Sequence, residues 1–203
     1  MRKILLCLPL LLLFLLLPVQ AAELEMRGVW VSSVYNLDYP SRQGLTESQL
    51  KAEADAIISQ AVEWNMTAIF LQVRPAADAL YASEIAPWSS VLTGKQGQAP
   101  DGGFDPLAYF VQQCHANGLE LHAWLNPYRY ASSDATFGKD DPKDYYNTNP
   151  DWLVKCGDIT ILNPSLPEVR EQICKVVADI VENYDVDGII FDDYFHQSGY
   201  KDS

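Results

Sequence analysis

Four short apolar runs, separated by stretches with helical periodicity, limit the folds open to this chain more than any other feature. Each run has the length of a strand, and each helical stretch is long enough to cross back over a sheet. The runs occupy residues 27–33, 68–73, 120–125 and 187–195. The resulting order, β-α-β-α-β-α-β, is typical of a parallel sheet with right-handed connections. We therefore predict an α/β fold.

Local signals for the starts of helices agree with this order. Thr46 and Gln49 have the spacing of a capping box, and Asp105-Pro106 is a typical helix start. Pro167 suits the first turn of a third helix. Apolar residues then recur at helical spacing, which predicts one buried face for each helix. The three faces are Leu50, Ala54, Ile57, Ile58, Ala61 and Trp64; Leu107, Phe110, Val111 and Cys114; and Val169, Ile173, Val176, Val177 and Ile180.

The links that follow the strands are longer than the links that follow the helices. Residues 75–104 and 126–166 form two long strand-to-helix links, whereas the return links are short. Long loops on one edge of a sheet usually carry function, and ligands bind at the carboxyl ends of parallel strands. We therefore expect the functional site at that edge.

The alternation of side chains along a strand predicts which residues reach this site. Residues two apart share a face of the sheet. In the second and third strands one face is wholly apolar, and we expect it to contact the helices. The opposite faces mix polar and aromatic residues and are expected to line an interior; they carry Gln72, Arg74, His122, Trp124 and Asn126.

The fourth run ends in acidic and aromatic residues. Alternation places Asp192 and Tyr194 toward the pocket, and it places Asp193, between them, toward the helices with Phe191. Asp192 is therefore predicted to be the pocket carboxylate and Asp193 a supporting group. A bulge at the strand end would reverse this assignment, and a solvated turn is the structural alternative.

Two interpretations stay open for several of these residues. Arg74 either pairs with Asp192 or also holds a carboxylate or hydroxyl of a substrate. His122 is either a core histidine or a base or metal ligand. Trp88 and Trp124 are either core residues or faces on which sugars stack. Metal-ligand spacings, phosphate loops and dinucleotide fingerprints are missing from the sequence, so we predict neither a metal nor a cofactor.

The first residues have the pattern of an export signal. Arg2 and Lys3 precede a leucine-rich run, and residues 19–21 have the small-residue spacing of a cleavage site. We predict residues 1–21 to be a signal peptide that is cleaved after Ala21, with an uncleaved anchor as the alternative. The exported chain would be periplasmic or extracellular and would keep no stable membrane span.

The charge of the chain excludes some classes of partner. The formal net charge is −13, and removing the signal makes it more negative. Such a chain repels nucleic acid and anionic membranes. Cys114, Cys156 and Cys174 remain after cleavage, and their spacing fits neither a disulfide framework nor a zinc site. We expect buried thiols, with one disulfide as the open alternative.

Five segments resemble those of glycosyl hydrolase-like family 10, in the same order. They are MRGVWVSS, FLQVRPAADALYASEIAPWSSVLTG, FDPLAYFVQQCHANGLELHAWLNPYR, ILNPSLPEVR and DGIIFDDYF. The resemblance implies a (β/α)₈ barrel glycosidase, of which residues 26–203 would form the first half, about four β/α units. The family includes a bacterial envelope enzyme that cleaves peptidoglycan glycan strands stripped of their stem peptides. An exported hydrolase of an envelope polysaccharide is therefore implied.

The same resemblance implies roles for individual residues. Asp192 and Asp193 fall on the acidic pair of the family, with Asp192 as acid or acid/base, and Arg74 falls on its strand-two arginine. Trp124, Asn126 and Tyr128 fall on the strand-three aromatic–asparagine segment of the family. Beyond the resemblance, we predict that Trp88 and Trp124 stack sugar rings and that Gln72 and His122 also belong to the substrate-binding residues. The residues expected to bind sugar hydroxyls are Asn126, Tyr128 and Tyr194.

The chain is short for such a barrel, which typically needs about 250 residues. We expect a protein truncated at its C-terminus, with two copies closing one barrel as the alternative. Glycosidases usually need two carboxylates, and the second would then lie outside this chain. A carbohydrate-binding or scaffold protein without catalysis is therefore the competing function. A sugar deacetylase is a weaker one, because the sequence shows no metal cluster.

Overall fold

A computed structural model describes residues 25–132 and 141–192 of the 203-residue chain. The strands in these ranges are β1 (Gly28–Val31), β2 (Ala68–Arg74), β3 (Glu120–Leu125), β4 (Arg129–Ser132), β5 (Leu153–Cys156), β6 (Ile159–Leu162) and β7 (Gly188–Phe191). The helices are α1 (Glu47–Glu63), α2 (Ser90–Thr93), α3 (Pro106–Ala116), α4 (Tyr145–Thr148) and α5 (Pro167–Asn183). Short 3₁₀ turns occupy Val34–Asn36, Asp101–Gly103 and Pro150–Trp152.

The main sheet is parallel and follows the order of the chain. Its strands lie in the order β1-β2-β3-β7, and each pairs in parallel with its neighbour. The connections between them carry the three long helices α1, α3 and α5. The predicted β-α-β-α-β-α-β order is confirmed, and the arrangement is that of a partial α/β barrel.

The predicted helix starts are confirmed. The Thr46 hydroxyl accepts from Gln49 N (3.3 Å), and Gln49 Oε1 accepts from Thr46 N (3.0 Å), which completes a capping box. Asp105 Oδ1 accepts from Ala108 N (3.0 Å) at the start of α3, and Pro167 is the first residue of α5. Side-chain caps of this kind satisfy backbone donors that have no partner inside the helix.

The main core lies between the helices and one face of the parallel sheet. The apolar faces of β2 and β3 pack there, as alternation predicts. The helices contribute buried residues to this core at their predicted positions: Leu50, Ala54, Ile58 and Ala61 from α1; Leu107, Phe110, Val111 and Cys114 from α3; and Val176 and Ile180 from α5. Val169 and Ile173 of α5 are also buried as predicted, but in a second apolar cluster. Ile57 and Val177 are only partly buried, and two further predictions of burial on the helices are wrong. Trp64 is 57% exposed because it caps the C-terminus of α1, and Cys174 is an exposed thiol.

The opposite face of the sheet carries a layer of aromatic rings. Trp30 makes edge contacts with Phe70 and with Trp124, each with centroids 4.9 Å apart, and Phe70 contacts the His122 ring at 5.2 Å. Two glycines make room for this layer. A Cβ at Gly28 would collide with the Phe70 ring, and one at Gly188 would collide with the His122 ring.

The link over residues 126–166 has regular structure that the sequence analysis missed. Within it, β4, β6 and β5 form an antiparallel sheet in that order. A second apolar cluster, which includes Tyr130, Tyr145 and Leu162, packs beside it. The short helix α4 also lies in this link. The sequence analysis identified this segment as a long strand-to-helix link and did not predict the strands within it.

The last described strand is less buried than predicted. The sequence predicts a run covered on both faces, but residues 188–190 are only partly buried. Phe191 pairs in register with Leu125, which puts it on the helix side as predicted. It nevertheless stays 47% exposed, because β7 is the edge strand of the described sheet.

Some sequence predictions fall outside the described residues. They include the signal peptide, Asp193 and Tyr194. Among the helices of the described ranges, none combines the length and apolar character needed to cross a bilayer.

Candidate active site

Asp192 follows β7 at the edge where the parallel strands end. Its backbone N–H donates to Leu125 O (3.2 Å), which extends the pairing of β3 with β7 by one residue. Because Leu125 pairs with Phe191, Asp192 comes level with Asn126. The Asp192 side chain is exposed. The structure therefore brings an accessible carboxylate to the end of β3.

Trp124 and Asn126 occupy the adjoining end of β3 and are both buried. Asn126 Nδ2 donates to Pro75 O (3.0 Å), and Asn126 N donates to Arg74 O (2.9 Å). These bonds tie the end of β3 to the end of β2. Among the described residues, Trp124 Nε1 and Asn126 Oδ1 have no hydrogen-bond partner. Buried polar atoms are nearly always satisfied, so a donor and an acceptor without partners mark a place for a ligand or water.

Gln72 is buried on the same face, but its carbonyl oxygen is already engaged. Oε1 accepts from Ser33 N and from Val34 N, both at 2.9 Å, and from Ser32 Oγ at 3.1 Å. These donors belong to the segment that leaves β1. In the geometry observed, Gln72 holds that segment against β2, whereas the sequence predicts contact with substrate.

Arg74 is completely buried at the end of β2. Its Nη1 donates to Asp78 O (3.4 Å), while its Nε and Nη2 have no partner in the described part of the chain. The register shifts between Gln72 and Arg74, so Arg74 pairs with Leu125 and the alternation is broken. The expected ion pair with Asp192 is not formed among the described residues.

Asp78 is a buried carboxyl group at this edge that the sequence analysis did not identify. Burial raises the pKa of Asp78, against the opposing effects of the Ser89 hydroxyl and the charge of Arg74. Its Oδ1 also accepts from Ala76 N (3.3 Å). A buried acid with a raised pKa in a loop after a strand is a candidate for function. Asp78 lies within the segment FLQVRPAADALYASEIAPWSSVLTG that carries the family resemblance, and in the long link over residues 75–104, but neither feature singles it out from its neighbours.

His122 lies away from this group. It is four residues before Asn126 on β3, which at the rise of a strand is about 13 Å toward the other edge. Its Nε2 is 2.9 Å from Glu120 Oε2, and its ring contacts Phe70. The structure therefore places His122 in the interior layer and not with Asp192.

Trp88 and Tyr128 both lie in the links that follow strands. Trp88 is partly buried, and its backbone oxygen accepts from Gly97 N (2.8 Å). Tyr128 is also partly buried; its backbone oxygen accepts from Leu162 N (2.7 Å), and its side chain packs beside the second apolar cluster. Both belong to the same edge as Asp192, in separate links.

A pocket of about 160 Å³ opens at this edge. It lies between the segment after β1, the segment after β2 and Arg129 of β4. Its lining is mostly apolar and includes Val34, Pro75, Ala76 and Val91, together with Asn36 and Asp78. Nowhere in residues 25–132 and 141–192 do three or more histidine, cysteine or carboxylate side chains come together as a metal site.

Barrel enzymes carry their active sites at the carboxyl ends of their parallel strands. The described strands and helices form part of such a barrel, and Asp192 directly follows the fourth parallel strand. The chain belongs to the family described as Glycosyl hydrolase-like 10, whose model matches residues 25–202. The resemblance seen in the sequence is thereby confirmed.

Two curated relatives agree with this membership. The glycosyl hydrolase YngK of Bacillus subtilis (strain 168) is 38% identical over 175 residues, which is 86% of this chain and 34% of the relative. The glycosyl hydrolase DigH of Escherichia coli (strain K12) is 34% identical over 193 residues, which is 87% of this chain and 43% of the relative. The chain thus spans well under half the length of either relative.

Solved structures resemble the fold at low sequence identity. A hypothetical protein from Ruminiclostridium thermocellum ATCC 27405 has a TM-score of 0.52 at 14% identity, over 81% of this chain and 75% of that protein. The alpha-L-fucosidase isoenzyme 2 from Paenibacillus thiaminolyticus has a TM-score of 0.52 at 15% identity, over 83% of this chain and 23% of the fucosidase. These similarities support the partial barrel and say nothing further about the reaction.

Proposed function

We propose that this chain contributes the catalytic edge of a glycoside hydrolase that cleaves a bacterial envelope polysaccharide such as peptidoglycan glycan strands. The observation that carries the proposal is the position of Asp192. It is an exposed carboxylate directly after the fourth parallel strand, level with Asn126 and beside the end of β3. Family membership and two relatives named as glycosyl hydrolases support the same reaction class.

Asp192 acts in this proposal as the acid or acid/base that protonates the leaving oxygen of the glycosidic bond. Trp124 and Asn126 supply an indole N–H and an amide oxygen for sugar hydroxyls, and neither atom has a partner among the described residues. Asp193 and Tyr194 keep their predicted roles as supporting and hydroxyl-binding groups. A hydrolase of this kind needs a second carboxylate about 5 Å away for a retaining reaction, or about 6.5–9.5 Å away for an inverting one.

The test is Asp192→Asn in the full-length protein, assayed by the release of reducing ends from glycan strands without stem peptides. Loss of a general acid or base is expected to lower turnover by about 10²–10⁴-fold. Asp185→Asn is the matched control, because the Asp185 side chain is 96% exposed and precedes β7 at the other edge of the sheet. Turnover of Asp192→Asn within a few-fold of the control would remove Asp192 from the mechanism.

Binding of carbohydrate without cleavage is the second candidate. Trp124 Nε1 and Asn126 Oδ1, which lack a partner within residues 25–132 and 141–192, favour it, because they suit a bound sugar whether or not Asp192 takes part in chemistry. Glycan binding without any release of reducing ends, in wild type and variant alike, would select this candidate.

Export belongs to the same proposal. The envelope polysaccharide lies outside the cytoplasm, and the first 21 residues carry the pattern of a signal peptide. The exported protein is expected to begin at Ala22 and to carry the glycosidase domain over residues 26–203. N-terminal sequencing of the exported protein checks this, and a retained Met1 would contradict it.

A further inference from the structure

The turn that follows β1 presents an exposed aromatic ring at the carboxyl edge of the sheet. Tyr35 is the middle residue of the 3₁₀ turn Val34–Asn36, and it is 68% exposed. An aromatic ring usually stabilises a fold by burying its apolar surface, and Tyr35 buries little of it. Packing in the core therefore does not explain why a tyrosine stands at this position.

The backbone conformation of the turn does not explain the tyrosine either. Tyr35 has a φ of 55° and a ψ of 18°, in the left-handed region that glycine adopts without cost and asparagine more readily than other residues. Asn36 suits its own φ of 54°. At Tyr35, in contrast, the Cβ crowds the following carbonyl oxygen. Strain of this kind is concentrated at functional sites, so Tyr35 is a candidate for function.

Hydrogen bonds on both sides of Tyr35 fix the turn in place. Gln72 Oε1 accepts from the backbone N–H groups of the two preceding residues, both at 2.9 Å. Asn36 Nδ2 donates to Pro40 O and to Val91 O, both at 2.8 Å, which fastens the turn to the link after β2. A ring carried on a fixed turn loses little freedom when it binds a ligand, so the turn is preorganised for binding.

The surface beside Tyr35 suits a sugar. Tyr35 borders the pocket of about 160 Å³ at the carboxyl edge. The lining of this pocket also includes the polar residues Asn36, Gln43, Asp78, Ser90 and Arg129. A sugar ring has a face of C–H groups, which stacks on an aromatic ring, and hydroxyls around its margin, which need polar partners. The aromatic ring and the polar residues thus meet both requirements.

Tyr35 lies well away from the proposed catalytic carboxylate. β1 and β7 are the two outer strands of the described parallel sheet, three strand spacings apart. Three spacings correspond to about 14 Å along the sheet. Tyr35 follows β1 and Asp192 follows β7, at the same edge. The sugar unit that is cleaved at Asp192 therefore does not reach Tyr35, whereas a glycan that continues along the edge for several units does.

We infer that Tyr35 stacks on a sugar unit several positions away from the bond that is cleaved at Asp192. Contact with Tyr35 holds a long glycan along the carboxyl edge, and a short glycan does not gain this contact. The protein therefore selects long strands over short ones. The inference rests on the proposed glycosidase function and adds to it a preference for chain length.

The experiment measures KM and kcat of the full-length protein on two fractions of glycan strands without stem peptides. One fraction holds the shortest strands that are still cleaved, and the other holds strands several times longer. Tyr35→Ala should raise KM for the long strands by about 3–10-fold, because it removes the stacking face. It should leave kcat unchanged and should alter KM for the short strands by less than about twofold, since binding remote from the cleaved bond is lost.

Leu37→Ala is the matched control, because Leu37 follows the same turn, is 67% exposed and lies outside the lining of the pocket. It should keep the wild-type KM for both fractions, and Tyr35→Phe should do so as well because it retains the ring. Thermal unfolding checks that each variant is folded. If Tyr35→Ala does not fold, the ring resonances of Tyr35 in the wild-type protein replace it, and they should shift with the long strands alone.

The possible failures are distinguishable. An unchanged KM of Tyr35→Ala for the long strands would overturn the inference and leave the glycosidase function standing. An equal rise of KM for short and long strands would also overturn it, because the effect would then not depend on a remote sugar unit. Absence of turnover by the wild type on both fractions would overturn the proposed function together with the inference.

Discussion

The two edges of the parallel sheet differ in how their polar groups are satisfied. At the amino edge, Asp187 Oδ2 accepts from Leu121 N (2.7 Å) and lies 2.9 Å from His115 Nε2. At the carboxyl edge, Arg74, Trp124 and Asn126 each carry buried polar atoms that have no partner among the described residues. The same strands run through both edges, so the difference lies in the side chains placed at their ends.

The contrast separates stability from function. An unsatisfied buried polar group destabilises a fold by about 1–3 kcal/mol, so the carboxyl edge is less stable than paired side chains could make it. Barrel enzymes bind their ligands at this edge, where such groups can bind a substrate. At the amino edge, the paired groups of Asp187, Leu121 and His115 contribute to stability instead.

The largest expected losses of stability come from substitutions in the apolar layer that both edges share. Leu121 and Leu125 lie on the helix side of β3, one near each edge, and both are completely buried. Leu121→Ala and Leu125→Ala should each lower the free energy of unfolding by about 2–5 kcal/mol, as removal of a buried leucine usually does. Denaturant unfolding of the two variants measures this. A loss below about 1 kcal/mol at Leu125 alone would show that the edges differ in their core as well.

The amino edge should lose stability when its central acceptor is removed. Asp187→Ala leaves Leu121 N without its 2.7 Å partner and removes the contact with His115, so we expect a loss of about 1–3 kcal/mol in the free energy of unfolding. Asp185→Ala should change it by less than about 0.5 kcal/mol, because that side chain is exposed. Equal losses in the two variants would contradict the role given to Asp187.

The same carboxylate should make stability depend on pH. Burial alone would raise the pKa of Asp187, but the hydrogen bonds from His115 and Leu121 outweigh it and lower that pKa. A lowered pKa in the folded state means a contribution that is complete above the unfolded value of about 3.9 and is lost as the pH falls through the folded value. The stability difference between wild type and Asp187→Asn should therefore shrink below about pH 4. A constant difference from neutral to acidic pH would contradict this.

The smallest effect on stability is expected at the carboxyl edge. Arg74→Met replaces a buried guanidinium, which makes one long hydrogen bond of 3.4 Å, by an apolar side chain of similar length. Removing one partner of a buried pair is costly only where a charge stays behind, and burial raises the pKa of the neighbouring Asp78 carboxyl even beside Arg74. Asp78 therefore takes up a proton when the guanidinium is removed, and the free energy of unfolding should change by less than about 1 kcal/mol. Glycan binding should weaken in the same variant. A loss of several kcal/mol would show that Arg74 supports the fold, as the groups of the amino edge do.

The sequence predicts the fold well because its signals are local. The capping residues Thr46 and Asp105, and the apolar periodicity of each helix, act within a few residues of where they stand. The β5–β6 hairpin also had a local signal, since Gly157-Asp158 joins two apolar four-residue strands, and Gly157 has a φ of 64°. That signal was overlooked because the strands are short.

The site is only partly predictable, because it depends on contacts between distant segments. Alternation puts Trp124 and Asn126 on one face, but it assigns Arg74 to that face without foreseeing the register shift. The burial of Asp78 has no sequence signature, because it arises from loops packed against each other. Strand periodicity carries no information about such loops.

The two glycines beside the aromatic layer restrict which substitutions this chain can accept during evolution. Gly28 and Phe70 share one space, and Gly188 and His122 share another. A side chain at either glycine would collide with the ring of its partner, so it needs that ring to move or to be replaced by a smaller residue. Among relatives, positions 28 and 70 should therefore change together, and positions 188 and 122 should do the same.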